Sequence, residues 1–273
     1  MLKDITIGQH FPGDSPVHRM DPRFKIFLTL AFLVVLYAGT NPAGILLSIA
    51  FVMLTYLLAR IPGRLLWRSL KPLLPILLFS AVLNLLFYTG TPLFSWWIIT
   101  ITKEGAYYSV LFALRVICLL AGTSLLTYTT SPIALTDGIE RLLSPLKIVR
   151  FPAHELAMMM TIALRMIPTL IEETDKIMSA QKARGAELDS GSLTQRIRAL
   201  VPILIPLFLS AFRRADELAT AMECRCYHGG EGRTRLRQLK ITPGDVLGLL
   251  VCAAIFAAIA VSGRLFPDFL AVL

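Results

Sequence analysis

Residues 105–129 read GAYYSVLFALRVICLLAGTSLLTYT, a run of 25 residues in which Arg115 is the one charged side chain. A helix needs about 20 predominantly apolar residues to cross the hydrocarbon core of a bilayer, so this run predicts a transmembrane helix. Four other apolar segments, the first two of them short, complete the set: 25–39, 43–59, 72–90 and 243–263. The sequence therefore predicts an all-α, polytopic membrane helix bundle with about five transmembrane helices.

The composition of the chain supports a membrane protein. Of the 273 residues, 55% are hydrophobic and 16% are charged, whereas a soluble globular chain carries about 25% charged residues. This shortage of solubilising charge argues against a soluble enzyme or a nucleic-acid-binding domain. The four cysteines, at 118, 224, 226 and 252, do not suggest a secreted disulfide framework. The first residues lack the basic start and apolar core expected of a signal peptide.

Basic residues are distributed unevenly among the segments that join the apolar runs. The N-terminus, the 60–71 loop and residues 130–242 together hold 24 of the 27 Lys and Arg. Lys and Arg accumulate on the cytoplasmic side of membrane proteins. The asymmetry therefore predicts a multi-pass membrane protein with the N-terminus and residues 130–242 in the cytoplasm and the C-terminus outside.

Two apolar stretches inside 130–242 are ambiguous. Residues 156–171 contain Arg165 and Pro168, and residues 199–212 are short for a span. If both crossed the membrane, the basic segment between them would move outside, against the charge rule. We therefore expect both to form helices along or just under the inner membrane surface.

The chain is thus expected to contain three segments. Residues 1–129 hold transmembrane helices 1–4, and residues 243–273 hold the last transmembrane helix. Residues 130–242 form a cytoplasmic, mostly helical insert, with 16 basic and 12 acidic residues.

A short internal repeat lies within this insert. Residues 175–184, DKIMSAQKAR, align without gaps on residues 216–225, DELATAMECR. Asp, Ala and Arg recur at the first, sixth and tenth positions, while Ile faces Leu and Ser faces Thr at the third and fifth. Each copy predicts a helix whose last turn presents an arginine between small residues, Ala183–Arg184–Gly185 in the first and Cys224–Arg225–Cys226 in the second.

An arginine on a rigid helix end can enter a groove of a partner protein. Its guanidinium carries five donors for carboxylates or carbonyls, and small neighbours let the partner's backbone approach closely. Two such ends predict two similar sockets, which a pair of homologous partner subunits would supply. The alternative is that both motifs are ordinary helix ends, where a cation and a glycine are favourable in any case.

The two motifs resemble those of the transmembrane coupling subunit, or T component, of energy-coupling factor transporters, the vitamin and metal-ion importers of prokaryotes. The first motif reads Gln181-Lys-Ala-Arg-Gly185, with the Ala-Arg-Gly of the family. The second reads Glu223-Cys-Arg-Cys-Tyr227, with cysteines in place of the usual Ala and Gly. The resemblance extends over essentially the whole chain, including the single apolar span after the insert.

This resemblance implies a noncatalytic subunit of an ATP-driven transporter in a prokaryotic inner membrane, with residues 130–242 as its cytoplasmic coupling domain. Arg184 and Arg225, with their flanking residues, would dock into two homologous cytoplasmic ATP-binding-cassette subunits, which hydrolyse ATP. A separate small membrane subunit would bind the vitamin or other micronutrient, and would topple in the bilayer when the T component rearranges.

Other candidate sites carry less weight. Cys224, Cys226 and His228 provide fewer than the about four ligands of a structural zinc site. Residues 228–237 are rich in Gly and Arg but lack the Gly-Lys-Ser/Thr of a phosphate-binding loop. We therefore expect no metal, cofactor or nucleotide site in this chain.

Polar residues within the predicted spans are few. Arg115 is expected to bond Asn84 or backbone carbonyls, and so to fix helix packing or coupling, with a role in substrate passage less favoured. An ordinary permease that binds its own substrate would need more polar residues than these. A membrane-embedded lipid enzyme would need a cluster of Asp, Glu or His at a membrane boundary. Both alternatives are less favoured, and no nucleic-acid partner is expected.

Overall fold

The computed structural model of the chain describes residues 10–39, 41–87, 91–96, 99–149, 151–186, 192–229 and 241–265. The chain divides into two compact units. The bundle unit is built from the described residues of 8–138 and 239–273, and the insert unit from those of 139–238. Both units are largely helical.

Helices of the bundle unit often begin at a proline. Helices α1 to α3 start at Pro16, Pro22 and Pro42, at a position where the missing N–H of proline costs no hydrogen bond. The helices are α1 Pro16–Arg19, α2 Pro22–Ala38, α3 Pro42–Ala59, α4 Gly63–Leu70, α5 Leu74–Phe87, α6 Lys103–Thr129 and α10 Pro243–Leu265.

Helices α4 and α5 form a single helical segment with an irregular middle. A 3₁₀ turn at Lys71–Leu73 joins them, because Pro72 and Pro75 lack the N–H groups that a regular helix would use there. The combined segment, Gly63–Phe87, is 25 residues long. The segment begins nine residues before the predicted span at 72–90, because α4, which carries Arg64 and Arg68, precedes that span in the same helical segment.

A β-hairpin connects α5 to α6 and was not expected from the sequence. Strand β1 (Pro92–Trp96) pairs antiparallel with β2 (Ile99–Thr102), with Phe94 opposite Ile101. Strand β2 alternates Ile and Thr, which are β-branched and favour strands. The other regular elements of the described residues are helices, and the all-α fold class is confirmed.

Five helical segments of the described chain are long and apolar enough to cross a membrane, the number predicted. They are α3, the α4–α5 segment, α6, α8 (Ala153–Ala183) and α10. Helix α8 is marginal, because the mean hydropathy of its most apolar window is 1.2, against at least 2.0 in the other four. Helix α2 has 17 residues, at the lower limit of about 17 for a span. Four predicted spans are thus confirmed as candidates, while α8 joins them in place of the predicted first span.

The core of the bundle unit lies where α2, α3, α6 and α10 meet. Tyr56, Ala121 and Ile259 are buried there. Helices α2 and α6 are so close that a Cβ on Gly122 would lie 2.7 Å from the ring of Phe32, so this contact requires glycine. The buried hydroxyl of Tyr56 donates to the Ala121 carbonyl at 3.1 Å, which offsets its loss of water.

The insert unit contains two long helices. Helix α7 spans Pro132–Leu143 across the boundary between the units, a 3₁₀ segment follows at Ser144–Val149, and α8 then runs over Ala153–Ala183. Helix α9 spans Leu193–Cys224. The two long helices have 31 and 32 residues, which corresponds to rods about 45 Å long. Each rod ends at one of the two arginine motifs.

Candidate functional site

The first arginine motif closes α8. Arg184 caps the helix at φ −87° and ψ 6°, and Gly185 follows with φ +85°. The Gly185 N–H donates to the Lys182 carbonyl at 3.0 Å, and the Ala186 N–H donates to the Gln181 carbonyl at 3.0 Å. This is a Schellman motif, in which a residue in the left-handed conformation lets the last carbonyls of a helix find donors.

The second motif closes α9 in the same way. Arg225 caps the helix at φ −93° and ψ 14°, and Cys226 follows with φ +54°. The Cys226 N–H donates to the Glu223 carbonyl at 2.9 Å, and the Tyr227 N–H donates to the Met222 carbonyl at 3.1 Å. The repeat seen in the sequence therefore extends to the backbone, with Cys226 in the role of Gly185.

We call residues 183–186 the first tip and residues 224–227 the second tip. Arg184 and Arg225 are exposed, and so are the small residues on either side of each. Neither guanidinium has an ion-pair partner among the described residues. Both arginines can therefore reach a second protein without first breaking a contact within the described chain.

Helices α8 and α9 pack side by side in opposite directions. The Arg214 Nη2 atom of α9 lies 3.0 Å from the Glu173 Oε2 atom of α8. Toward the first tip, the Gln181 side chain of α8 donates to the Pro202 carbonyl, in the N-terminal part of α9, at 3.3 Å. The part of α9 beside the first tip is therefore farther from the second tip than the part beside Glu173. The tips lie at opposite ends of the pair.

The ion pair joins two equivalent residues, because Glu173 and Arg214 each lie two positions before their copy of the repeat. Each arginine of a tip lies 11 residues after the ion-pair residue of its own helix, which is about 16 Å of helix. An approximate two-fold axis through the Glu173–Arg214 contact therefore relates the two tips. The sequence comparison missed this contact because it began at Asp175 and Asp216. The available signal was a pair of opposite charges two residues upstream, at matching positions.

The bond from Gln181 to Pro202 has a specific cause. In a regular helix the Pro202 carbonyl would accept from the N–H of residue 206. Residue 206 is a proline within α9 and has no N–H to donate. The Pro202 carbonyl accepts from the Gln181 side chain instead. Pro206 of α9 thus leaves an acceptor free for a hydrogen bond from α8.

Helix α9 also presents an exposed apolar stripe. Its members recur at intervals of three and four residues, which places them on one face of the helix. Each side chain is at least 44% exposed, and the set is Ile197, Leu200, Val201, Leu204, Ile205, Phe208, Leu209 and Phe212. A contiguous apolar surface of this kind marks contact with a membrane or with another protein.

The two polar residues singled out within the spans bond to backbone carbonyls. The Arg115 Nη2 atom donates to the Gly39 carbonyl at 3.2 Å, at the end of α2. The Asn84 side chain donates to the Ser80 carbonyl at 2.9 Å, one turn earlier on its own helix. The structure therefore places Arg115 at a contact between α6 and the α2–α3 turn, and it does not bring the two residues together.

The cysteines of the second tip are free thiols. Cys224 and Cys226 are exposed, and His228 is exposed two residues beyond. Within the described residues, no group of three His, Cys, Asp or Glu side chains is arranged to hold a metal ion. Most of the Gly- and Arg-rich segment at 228–237 lies outside the described residues.

Comparison with known proteins gives a consistent result. The profile of the family described as CbiQ, cobalt transport protein, matches residues 13–236. The energy-coupling factor transporter transmembrane protein EcfT of Clostridium kluyveri is 51% identical over 97% of this chain and 99% of its own length. The proteins of the same name from Acidaminococcus fermentans and Bacillus subtilis are 52% and 44% identical, over 95% and 93% of this chain and 97% and 98% of their own lengths. The chain, a multi-pass membrane transport protein, therefore belongs to the CbiQ family and to its energy-coupling factor transporter transmembrane proteins.

Proposed function

We propose that this chain couples ATP hydrolysis by two homologous cytoplasmic ABC ATPase subunits to movement of a separate substrate-binding membrane subunit, and so drives uptake of a vitamin or other micronutrient. The observation that carries the proposal is the pair of tips. Two exposed arginines sit on matching Schellman ends, at opposite ends of one antiparallel helix pair. Two related sockets on two related subunits fit that arrangement.

Each tip has the features of a docking plug. The arginine stands at the helix cap, where its five donors reach beyond the helix end toward carboxylates or carbonyls of a partner groove. The residue that follows has a positive φ, which turns the chain sharply away. Gly and Cys at that position leave the partner's backbone room to approach.

The helix pair can transmit motion because two side-chain contacts hold α8 and α9 together. The Glu173–Arg214 ion pair lies between the tips, and the Gln181–Pro202 bond lies close to the first tip. When the ATPase subunits close on ATP, the tips are displaced and the angle between α8 and α9 changes. The exposed apolar stripe of α9 would carry that change to the substrate-binding subunit at the inner membrane surface.

This function requires the insert unit to face the cytoplasm. The excess of Lys and Arg in residues 130–242 supports that orientation. The chain then acts as a noncatalytic subunit, because ATP is bound and hydrolysed by the partners. The substrate is selected by the separate membrane subunit.

The proposal is tested by reversing the charge of each arginine. Loss of one partner of a buried charged hydrogen-bonded pair costs about 2–5 kcal/mol, so Arg184→Glu or Arg225→Glu alone should reduce uptake severely. Some ATPase subunit should still copurify, because the other tip still holds the complex. The double variant should release the ATPases, while the chain itself still inserts into the membrane.

Arg213→Glu is the matched control. Arg213 is an exposed residue of α9 outside the repeat, so the same reversal there should leave uptake and copurification close to wild type. If the double variant retains its ATPases as firmly as wild type and still transports, the arginines are ordinary helix caps and the proposed function loses its support.

A further inference from the structure

The bundle unit contains a large apolar cavity that the coupling function does not use. It measures about 570 Å³ and lies between α2, α3, α6 and α10, within the range of about 300–1,000 Å³ typical of small-molecule sites. Its walls include Phe32, Phe51, Val52, Ile255 and Phe256. Because these helices belong to a membrane bundle and the cavity is partly open, hydrocarbon chains can enter it.

One end of this cavity is polar. It is where α2 and α10 begin and where α6 ends, and the residues that line it are Arg19, Lys25, Thr129, Thr242 and Asp245. The Asp245 carboxylate is already occupied: Oδ1 accepts from the Asp21 N–H at 3.0 Å, and Oδ2 accepts from the N–H and hydroxyl of Thr242 at 2.8 and 2.7 Å. The cavity is therefore amphipathic, with one polar end and long carbon walls.

Lys25 is a buried cation at this polar end. Its residue is 7% exposed, and Nζ donates to the carbonyls of His18 at 3.0 Å and Thr129 at 2.9 Å. An ammonium group has three donors, so one N–H has no acceptor among the described residues. No described carboxylate forms an ion pair with Lys25 either. The Asp245 and Asp21 carboxylates attract Lys25 without forming an ion pair with it. The remaining N–H can therefore donate to an acceptor on a bound molecule, and an anionic acceptor makes the stronger hydrogen bond.

The buried charges at this end balance, and the surplus positive charge comes from Arg19 at the rim. The buried or half-buried cations are Lys25 and Arg23, and the Asp21 and Asp245 carboxylates act on them. Arg19 adds a further positive charge at the rim, with its side chain 75% exposed. Its neighbour Asp14, at 3.9 Å, is 94% exposed, so solvent screens that pair. Basic pockets between transmembrane helices bind anionic lipid head groups in this way.

We propose that the cavity binds a membrane amphiphile, with its phosphate or carboxylate head at Lys25 and its acyl chain along the apolar walls. The head would contact Thr129, at the end of α6, and Thr242, immediately before α10. The proposal depends on the membrane location of the chain and not on the docking role of the two tips.

Photoreactive lipids test the proposal directly. The full-length chain, purified with its partner subunits, is placed in phosphatidylcholine vesicles that contain one probe with a diazirine in its acyl chain. The probes are phosphatidylglycerol, palmitic acid and diacylglycerol, of which the last has no anionic head. We expect phosphatidylglycerol or palmitic acid to label peptides of α2, α3 and α10, and diacylglycerol to label them at least fivefold less. The stronger of the two anionic probes identifies the source of the head group.

Two variants and one control separate binding from folding. Lys25→Met should reduce labelling of these peptides at least fivefold, while Lys103→Met, a change at an exposed lysine of α6, should not. Gly248→Leu fills the cavity from α10, and its Cβ meets only the flexible side chain of Met20, at 3.5 Å. It should reduce labelling even if Lys25→Met fails to fold. Labelling that is unchanged in Gly248→Leu, or as strong with diacylglycerol, overturns the proposal.

Discussion

Cys226 has a backbone conformation that few side chains adopt. Its φ is +54°, and a residue with a Cβ pays about 1–2 kcal/mol for the left-handed helical conformation. Gly185 occupies the equivalent position of the first tip at φ +85° without that cost. The second tip is therefore strained where the first is not.

The variant Cys226→Gly should relieve this strain. We expect it to raise the free energy of unfolding by about 1 kcal/mol and to leave uptake near wild type, because glycine is at least as small as cysteine. The measurements are the midpoint of thermal unfolding in mild detergent and substrate uptake in cells. A loss of uptake together with the loss of a bound metal would show that the thiol is a ligand.

The mirror-image change at the first tip is the control. A Cβ on Gly185 would meet no atom within 4 Å, so Gly185→Ala changes only the backbone preference. It should lower the free energy of unfolding by about 1 kcal/mol. If both variants shift the unfolding midpoint in the same direction, strain at the left-handed position is not the cause.

At the scale of the elements, the sequence predicted the two helices that end at the arginine motifs through their repeat, but not their length or their packing. The apolar stretches at 156–171 and 199–212 and the two arginine motifs were recognised separately. In the structure each stretch and its motif form one continuous helix, which passes through Pro168 in α8 and through two prolines in α9. The antiparallel contact between the helices depends on side chains far apart in the chain, and no local pattern specifies it.

The Glu173–Arg214 ion pair should tolerate exchange of its partners. Glu173 and Arg214 each lie two positions before their copy of the repeat. Combining Glu173→Arg with Arg214→Glu therefore exchanges the two charges between α8 and α9 and keeps the ion pair. Each single change puts two like charges in contact. Both side chains are partly exposed, at 27% and 38%, so the coupling energy should be no more than about 1 kcal/mol.

We expect each single variant to lower both the unfolding midpoint and uptake, and the double variant to recover most of both losses. Thermal unfolding and uptake measured on all four proteins complete a double-mutant cycle. A double variant no better than the worse single would contradict the two-fold arrangement. Arg213→Glu again serves as the control for a charge change on the exposed surface of α9.

For the whole molecule, hydrophobic length predicted the class of fold and most of the spans. The apolar runs that became α3, α6 and α10 need no tertiary information, because a bilayer selects for length and polarity alone. The β-hairpin before α6 was missed since it is short, and the approach of Phe32 to Gly122 depends on residues 90 positions apart. Helices α2 and α8 are the ambiguous cases, one at the lower limit of length and the other at the lower limit of hydropathy.

The side of the membrane on which each loop lies decides between the two ambiguous helices. If α2 spans and α8 lies at the inner surface, Thr91 is outside and Ser190 is in the cytoplasm with the rest of the insert unit. If α8 also crossed, the first tip and Ser190, which lies outside the described residues, would be outside the cell. The second tip would lie outside with them unless α9 crossed back. Basic residues at both ends of α8 oppose that crossing.

We therefore expect a cysteine placed at Thr91 or Phe269 to react in intact cells with a membrane-impermeant thiol reagent, and one at Ser190 to react only after the cells are opened. The native cysteines are removed first, and labelling is measured on the purified chain. Thr91 is exposed, between α5 and β1, so the reagent can reach it. Labelling of Ser190 from outside would place α8 across the bilayer. The first tip would then be outside the cell and could not meet a cytoplasmic ATPase, so that result would remove the coupling function together with the topology.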